Sequence, residues 1–157
     1  MLEMAMYVPI LVLLLMGSVE VARLTYIYYT LHKMLETVAT YVSTRQGVNF
    51  CDDTDATIVA AKAFAISGSS DTTGQPIVAN LTADMIQISI HRYNSDSQTL
   101  AQCDCSATGC DLSQGGLAPD YIEVSIPDGY PITPTIPYVA EQQILFKPIV
   151  VVRYGGT

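Results

Sequence analysis

The chain has 157 residues, of which 50% are hydrophobic and only 14% are charged. This composition is typical of one small domain joined to a strongly apolar segment. Residues 1–45 carry three acidic and three basic side chains, so the whole net charge of -8 lies downstream of them. An acidic domain has no electrostatic attraction to nucleic acid, and about 110 residues form one modest core. We therefore expect neither a soluble cytosolic protein, nor a nucleic-acid partner, nor a multidomain enzyme.

The first predicted element is one long helix that changes character along its length. Residues 4–19 contain no charged side chain, a run rather short for the roughly twenty residues that span a membrane. After Arg23 the apolar residues narrow to one helical stripe. The members of this stripe are Leu24, Ile27, Tyr28, Leu31, Leu35, Val38, Ala39 and Val42. The pattern predicts a helix over about residues 2–44, with an apolar half, 1–22, and an amphipathic half, 23–45, that packs at least partly on the chain's own domain.

Two carboxylates bracket the apolar half, and a buried carboxylate needs a cation. For Glu20 we prefer Arg23, one turn further along the same helix, over a residue of a neighbouring chain. No basic residue lies within reach of Glu3. Its candidate partner is therefore a free N-terminal amine, either its own or that of an adjacent molecule. This requirement favours assembly of helix against helix.

The remaining residues, 46–157, are predicted to form a small globular domain. The acidic pair Asp52 and Asp53 precedes an alanine-rich helix over residues 56–65, which ends at Gly68. Beyond it, apolar residues alternate with polar ones, a pattern typical of antiparallel strands with one covered face. The predicted strands cover residues 86–90, 122–126 and 144–154.

Two connecting segments separate these strands. Residues 94–120 are too polar and irregular for a core strand. Residues 130–137 contain three prolines, which predict a stiff extended connection without regular strand pairing.

All four cysteines lie outside the apolar segment, at Cys51, Cys103, Cys105 and Cys110. An even number beyond a membrane favours two disulfides in an oxidising compartment. The competing interpretation is a metal site, but the C-x-C-x4-C spacing differs from that of structural zinc sites. A Cys103–Cys105 bond would close a very small loop. We therefore expect Cys51 to reach this cluster and Cys110 to take the remaining partner.

Little in the sequence indicates chemistry. His32 and His91 have no nucleophile at a supporting spacing, and there is no phosphate-binding loop or haem-attachment motif. We therefore expect no catalytic site, no cofactor and no resident metal. Asn80-Leu81-Thr82 matches a glycosylation acceptor, although so short a pattern is weak evidence.

Motifs at the two ends of the chain carry a family resemblance. Residues 2–9, LEMAMYVP, precede a leucine run and then residues 17–23, GSVEVAR. Near the other end, the alternating strand 122–126 precedes residues 130–137, YPITPTIP, and a closing strand up to Tyr154. In this order the motifs resemble the TadE-like pilins and pseudopilins of the tight-adherence branch of type IV pilus systems.

This resemblance covers both ends of the chain, whereas residues 67–120 match no pattern of the family. It implies an α+β fold in which a long N-terminal pilin-like helix packs on a small, disulfide-bearing antiparallel domain. The family's subunits are membrane-bound precursors that a prepilin peptidase cleaves, and their N-terminal helices bundle in a filament core. We accordingly expect the chain to begin at a processed terminus from which a basic leader has been removed.

Carried over by position, Glu3 is the assembly glutamate that neutralises a neighbour's terminal amine. In the family this residue usually sits two positions further from the cleaved end, so the identity of the amine that pairs with Glu3 is left open. The implied partners are copies of the chain, the inner membrane, the pilus assembly machinery and other pilin-like subunits. The alternatives are a minor pseudopilin that primes or caps another filament, and a membrane-anchored extracellular module that binds through residues 94–120.

Overall fold

The computed structural model describes residues 2–69, 74–105, 115–135 and 143–156, with side chains from residue 7 onward. Two α-helices, α1 (Leu2–Ser43) and α2 (Ala56–Ser67), and a short 3-10 helix, Ala83–Met85, precede the strands. The strands are β1 (Gln87–Asn94), β2 (Thr99–Gln102), β3 (Tyr121–Ser125), β4 (Tyr130–Ile132), β5 (Ile144–Phe146) and β6 (Ile149–Arg153). This order confirms the predicted α+β class.

Helix α1 runs without interruption through the predicted range and is about 63 Å long. It continues through Pro9, although proline has no N–H to donate to the preceding turn. Gly47, with φ of 73°, lies just beyond the helix end. Left-handed backbone of this kind is common where a chain leaves a helix, and glycine adopts it without strain.

The core lies between the second half of α1, helix α2 and one face of a four-stranded antiparallel sheet ordered β2-β1-β3-β6. Strand register places Ile90, Ile122 and Val152 side by side on the inner face, and Ile88, Val124 and Val150 form a second row. The α1 residues facing this sheet are almost fully buried: Leu31, Leu35, Val38 and Val42. The amphipathic half of α1 is thus an integral part of the domain core.

Helix α2 extends two residues beyond its predicted end, to Ser67, and stops at Gly68 with φ of 73°. Its N-cap residue is Asp55, whereas the sequence indicated the acidic pair Asp52 and Asp53 at the helix start. The Asp55 carboxylate accepts a hydrogen bond from the Thr57 N–H at 2.8 Å, which satisfies a donor at the helix start. Asp53 instead pairs with Lys62 at 3.4 Å.

The proline-rich segment corrects one expectation. Tyr130–Ile132 form strand β4, which pairs with β5 to make a separate two-stranded ribbon, in which Pro131 lies opposite Leu145. Each strand of such a ribbon has one side without a partner strand, so the missing N–H of a proline is tolerated there. The prediction that the prolines exclude regular pairing was therefore wrong.

The predicted last strand, 144–154, is also divided. It forms β5 in the ribbon and β6 at the edge of the main sheet, with Lys147 and Pro148 between them. A proline cannot donate to a strand ladder, so it marks the point at which the chain changes sheets.

Where the structure describes the cysteine-bearing segment, over residues 94–105 and 115–120, it has no core strand, as expected, but it does contain β2. This short strand is exposed at every position and pairs only with β1 at the sheet edge. Three residues after it, Cys105 forms a disulfide with Cys51, so the expected link from Cys51 to the cluster is present. Cys103 is disulfide-bonded as well, and Cys110 lies outside the described residues.

Candidate assembly site

The most exposed apolar surface of the described structure is the first half of α1, which we call the stem (residues 7–19). Its large apolar side chains are between 47% and 67% exposed, whereas Leu35, further along the same helix, is 1% exposed. The helix is long and apolar enough to cross a membrane. A contiguous apolar surface of this size indicates a lipid or protein partner.

The stem ends at Glu20, which is only 7% exposed. Its carboxylate accepts hydrogen bonds from the Thr135 hydroxyl at 2.6 Å and from the Thr135 backbone N–H at 3.1 Å. Arg23 donates to Glu20 at 3.3 Å and to the Thr135 hydroxyl at 2.8 Å. We call these three residues the Glu20 clamp. Together they satisfy both carboxylate oxygens within one subunit.

The β4–β5 ribbon brings Thr135 to the helix. The Phe146 ring packs edge-on against Tyr28 of α1, with ring centroids 5.5 Å apart. Opposite Phe146 in the ribbon, Tyr130 is buried and donates its hydroxyl proton to the Ala79 carbonyl. Burial raises the pKa of Tyr130 above its ordinary value. Residues 130–135 are thus fixed by Tyr130 at one end and by Thr135 at the other. They run along α1 from the level of Tyr28 to the level of Glu20.

The sequence-predicted residues divide into those that the structure brings together and those that it does not describe. Glu20 and Arg23 meet as expected, as an ion pair one turn apart. Glu3 lies in the first turn of α1, and its side chain is outside the described part of the structure. Thr135 was missed, because no local pattern links it to a residue 115 positions away. The only signal was that both segments belong to the motifs that carry the family resemblance.

The glycosylation motif at Asn80, the metal-site alternative and His91 take no part in the Glu20 clamp. Asn80 is exposed, in a turn with φ of 62°, so its use as a glycan acceptor stays a prediction. Among the described residues, no three His, Cys, Asp or Glu side chains are grouped to hold a metal ion. His91 lies on the outer sheet face, with Nε2 3.3 Å from a Glu123 carboxylate oxygen.

The comparison with known families concerns the N-terminal part of the chain. The family model described as TadE-like protein matches residues 1–40, about a quarter of the chain. This chain has a TadE-like N-terminal segment. The match confirms the resemblance predicted from the sequence and covers the stem, Glu20 and Arg23. No curated protein and no solved structure matches the chain.

The TadE-like family is associated with tight-adherence pili, and the matched residues lie in an N-terminal helix suited to anchoring in a membrane. The proline-rich motif that supplies Thr135 lies outside the matched residues. Its contact with Glu20 is therefore an observation of the structure, independent of the family match.

Proposed function

We propose that this TadE-like chain is a structural pilin subunit, which polymerises into a type IV-like extracellular filament through its apolar N-terminal helix. The observation that carries the proposal is the exposure of the stem. Ten of its large apolar side chains face outward in the isolated subunit, whereas Leu31, Leu35 and Val38, further along the same helix, are buried in the domain. The subunit thus has its own complete core and a second apolar surface left over.

That surface has two successive environments in the proposed life of the subunit. Residues 2–19 form about 27 Å of helix, close to the roughly 30 Å of a bilayer's hydrocarbon core. A membrane therefore accommodates the stem before assembly. Since lipid tails are as apolar as leucine, transfer to the filament is driven by helix packing and polar pairing, and the hydrophobic effect contributes little.

Polar pairing is the role proposed for Glu3. A carboxylate in the first turn of an otherwise apolar helix is unfavourable in lipid unless it is neutralised. The terminal amine of an adjacent subunit provides the opposite charge inside a bundle of stems. This pairing favours the assembled state over the free precursor and fixes the axial position of one helix against the next.

Of the two carboxylates that bracket the apolar half of α1, only Glu3 is left to pair with a neighbouring subunit. Glu20 and Arg23 bond to each other and to Thr135 within one subunit. They therefore need no partner from a neighbouring chain. We infer that the clamp closes the lower end of the domain, and that intersubunit charge pairing takes place at the start of the stem.

Negative-stain microscopy of material sheared from cells tests the proposal. Cells that carry Glu3→Gln, a nearly isosteric change, are compared with wild type and with Glu36→Gln. Glu36 is a matched control because it lies on the same helix and forms a surface pair with Lys33 at 2.9 Å. We expect Glu3→Gln to abolish or strongly reduce the filaments while the subunit remains in the membrane fraction. Wild-type amounts of filaments built from the Glu3→Gln subunit would contradict the role of Glu3.

The composition of purified filaments separates the major subunit from a minor pseudopilin. A major subunit is the most abundant component along the filament, and a minor one is scarce. A membrane-anchored binding module predicts a third result, in which the full chain is a monomer in detergent and is absent from any filament. The proposed partners are copies of the chain, the inner membrane before extraction, the assembly machinery and other pilin-like subunits. The proposed final location is the cell surface.

A further inference from the structure

The four-stranded sheet has strand β6 at one edge and strand β2 at the other. In an antiparallel ladder, alternate residues turn their backbone N–H and C=O groups to opposite sides of the strand. The Tyr154 N–H, just beyond β6, donates to the Asp120 carbonyl, just before β3. The even-numbered residues of β6 therefore bond to β3. The backbone groups that point away from the sheet belong to Ile149, Val151 and Arg153.

Strand β2 has an edge of the same kind. The Cys103 N–H donates to the Ile90 carbonyl of β1 at 2.8 Å, so Leu100 and Gln102 direct their backbone groups outward. Both residues are exposed. Among the residues that the structure describes, no strand pairs with the outer side of β2 or of β6. Such edges are templates for a strand of another chain.

The outer face of the sheet carries its exposed apolar side chains at these two edges. Ile149 and Val151 on β6 are 55% and 52% exposed, while Leu100 on β2 and its cross-strand neighbour Tyr93 are 50% and 51% exposed. The centre of the same face is mostly polar and is formed by Gln87, Ser89, His91, Tyr121, Glu123 and Ser125. The apolar surface of this face thus lies where an added strand would cover it.

The two edges also differ in charge. Lys147 lies two residues before Ile149, and Arg153 ends β6. Both are exposed, and neither forms an ion pair with a residue that the structure describes. Asp96 and Asp104, one on each side of β2, are exposed as well. Complementary charges of this kind favour contact between a β6 edge and a β2 edge.

The strand directions fit such a contact between two copies of the chain. Three antiparallel pairings separate β2 from β6, so these two strands run in opposite directions. A second subunit placed beside the first without being turned over therefore presents an antiparallel β2 to β6, and its stem points the same way. Pairing of β6 with β6 instead requires a twofold axis perpendicular to the sheet, which reverses the stem because α1 lies along the sheet. Of the two pairings, only β6 with β2 keeps the stems parallel.

We propose that strand β6 of one subunit pairs with strand β2 of the next, so that the sheets of neighbouring subunits join edge to edge. The inference rests on the polymer of the proposed function. The register that best combines the side chains sets Val151 opposite Leu100 of the next subunit and Lys147 opposite its Asp104. An apolar pair and an ion pair then lie along one short ladder.

This register displaces one subunit relative to the next. Within a subunit, Arg153 lies level with Gln102, through Tyr121 and His91. In the proposed contact Arg153 lies level with Gln98 of the next subunit, four residues away, which is about 13 Å along the strands. The contact joins two different surfaces of the same chain, and head-to-tail contacts that do not close into a ring extend as a helical polymer.

Photo-cross-linking in filaments tests the pairing. A photoreactive benzoylphenylalanine replaces Val151 in one variant and Ile77, which is 60% exposed outside the sheet, in the control. Each variant is expressed beside the wild-type chain, purified filaments are irradiated, and linked peptides are identified by mass spectrometry. Three strand spacings, about 14 Å, separate the two edges within one subunit, so a link from position 151 to β2 reports two subunits.

We expect position 151 to link to residues 98–104 of a second subunit, and position 77 to give no such link. Filaments that contain the position 151 variant but show no link to β2, or a link to a different protein only, would overturn the pairing and leave the polymer intact. An absence of filaments from cells with the wild-type chain would refute the proposed function and the pairing with it.

A charge exchange tests the same contact without a bulky side chain. Lys147→Glu sets two carboxylates opposite each other, and we expect several-fold fewer filaments from cells with equal amounts of subunit in the membrane. Adding Asp104→Lys to the same chain restores an opposite-charge pair at every contact, and we expect it to restore most of the filaments. Because the two positions lie at opposite edges of the sheet, a contact within one subunit does not explain this recovery. Unchanged filament numbers in Lys147→Glu, or a loss that Asp104→Lys does not repair, would overturn the pairing.

Discussion

Replacing Leu35 and Leu13 by alanine, one at a time, separates the two roles assigned to the single helix α1. Both substitutions remove the same atoms from the same helix, and alanine is the best helix former, so helix propensity changes equally. Leu35 is 1% exposed in the domain core, whereas Leu13 is 66% exposed in the stem. Any difference in the stability of the domain therefore reports packing alone.

The expected magnitude follows from these exposures. Leu35→Ala removes about three buried carbon groups at about 0.8 kcal/mol each, and the cavity that remains adds a further penalty. The expected loss in the free energy of unfolding is about 3 kcal/mol, within the range of 2–5 kcal/mol measured for such substitutions in other cores. Over a chain of this size it lowers Tm by roughly 6–12 °C. Leu13→Ala is expected to change Tm of the domain by less than about 2 °C, because its side chain touches little of the domain.

The assay is thermal unfolding of the full chain in mild detergent, followed by near-ultraviolet circular dichroism of the ten tyrosines. The number of filaments on cells is then measured for the same two variants. We expect Leu13→Ala to reduce the number of filaments although it hardly changes Tm. Equal Tm losses for the two variants would refute the division of α1 into a core half and an assembly half. So would an unchanged Tm for Leu35→Ala.

Three further predictions concern the clamp, the disulfide and alkaline pH. Thr135→Val removes the hydroxyl between Glu20 and Arg23, and we expect faster hydrogen exchange of the β4–β5 ribbon amides and a lower Tm. The control is Thr25→Val, because the Thr25 hydroxyl bonds only within α1. Equal exchange rates of the ribbon amides in the two variants would contradict the clamp. Replacing Cys51 and Cys105 together by alanine opens a connection with a sequence separation of 54. Loop entropy predicts a loss of about 4 kcal/mol, measured by urea unfolding, and a loss under about 1 kcal/mol would show that the bond constrains little. Burial raises the pKa of Tyr154 and Tyr130, so the unfolded chain loses these two protons at a lower pH than the folded chain does. The contribution of the two tyrosines to stability is therefore fully present below about pH 10 and is lost as pH rises through the folded pKa. Tyr154→Phe should flatten this alkaline decline in Tm, and an unchanged decline would refute the attribution to burial.

Local periodicity predicted most of the secondary structure. The alternation of Ile88 and Ile90 with polar residues, and the helical stripe through Leu31 and Leu35, are direct consequences of burying one face. Each pattern therefore gave both the element and its buried side, and the structure places these faces against one another. The chain's division into apolar and amphipathic parts followed from the same reasoning.

The proline-rich segment shows where this reasoning ends. Judged from the neighbouring residues alone, Pro131 predicts that there is no strand here. A proline is tolerated in β4 because this strand belongs to a two-stranded ribbon. The pairing of β4 with β5 is a long-range contact that no window of sequence contains. The break at Pro148 had a local signal, since proline interrupts a strand ladder, but a continuous β-rich run masked it.

The assembly site was predicted in part for the same reason. Glu20 and Arg23 are one helical turn apart, so their pairing is a local property of the sequence. The burial of Glu20 and its bonds from Thr135 depend on where the ribbon crosses α1. A carboxylate at the end of an apolar helix signals that a partner exists, but the identity of that partner is a property of the tertiary fold.

The most direct test of the central claim is electron cryomicroscopy of filaments purified from cells that express the wild-type chain. The proposed function predicts a helical assembly in which residues 7–19 form the central bundle and the globular domains form the outer layer. It also predicts that this chain is the principal component. Filaments that lack the chain, or a map in which the stem of each subunit faces solvent, would contradict the proposal that this chain polymerises through its apolar helix.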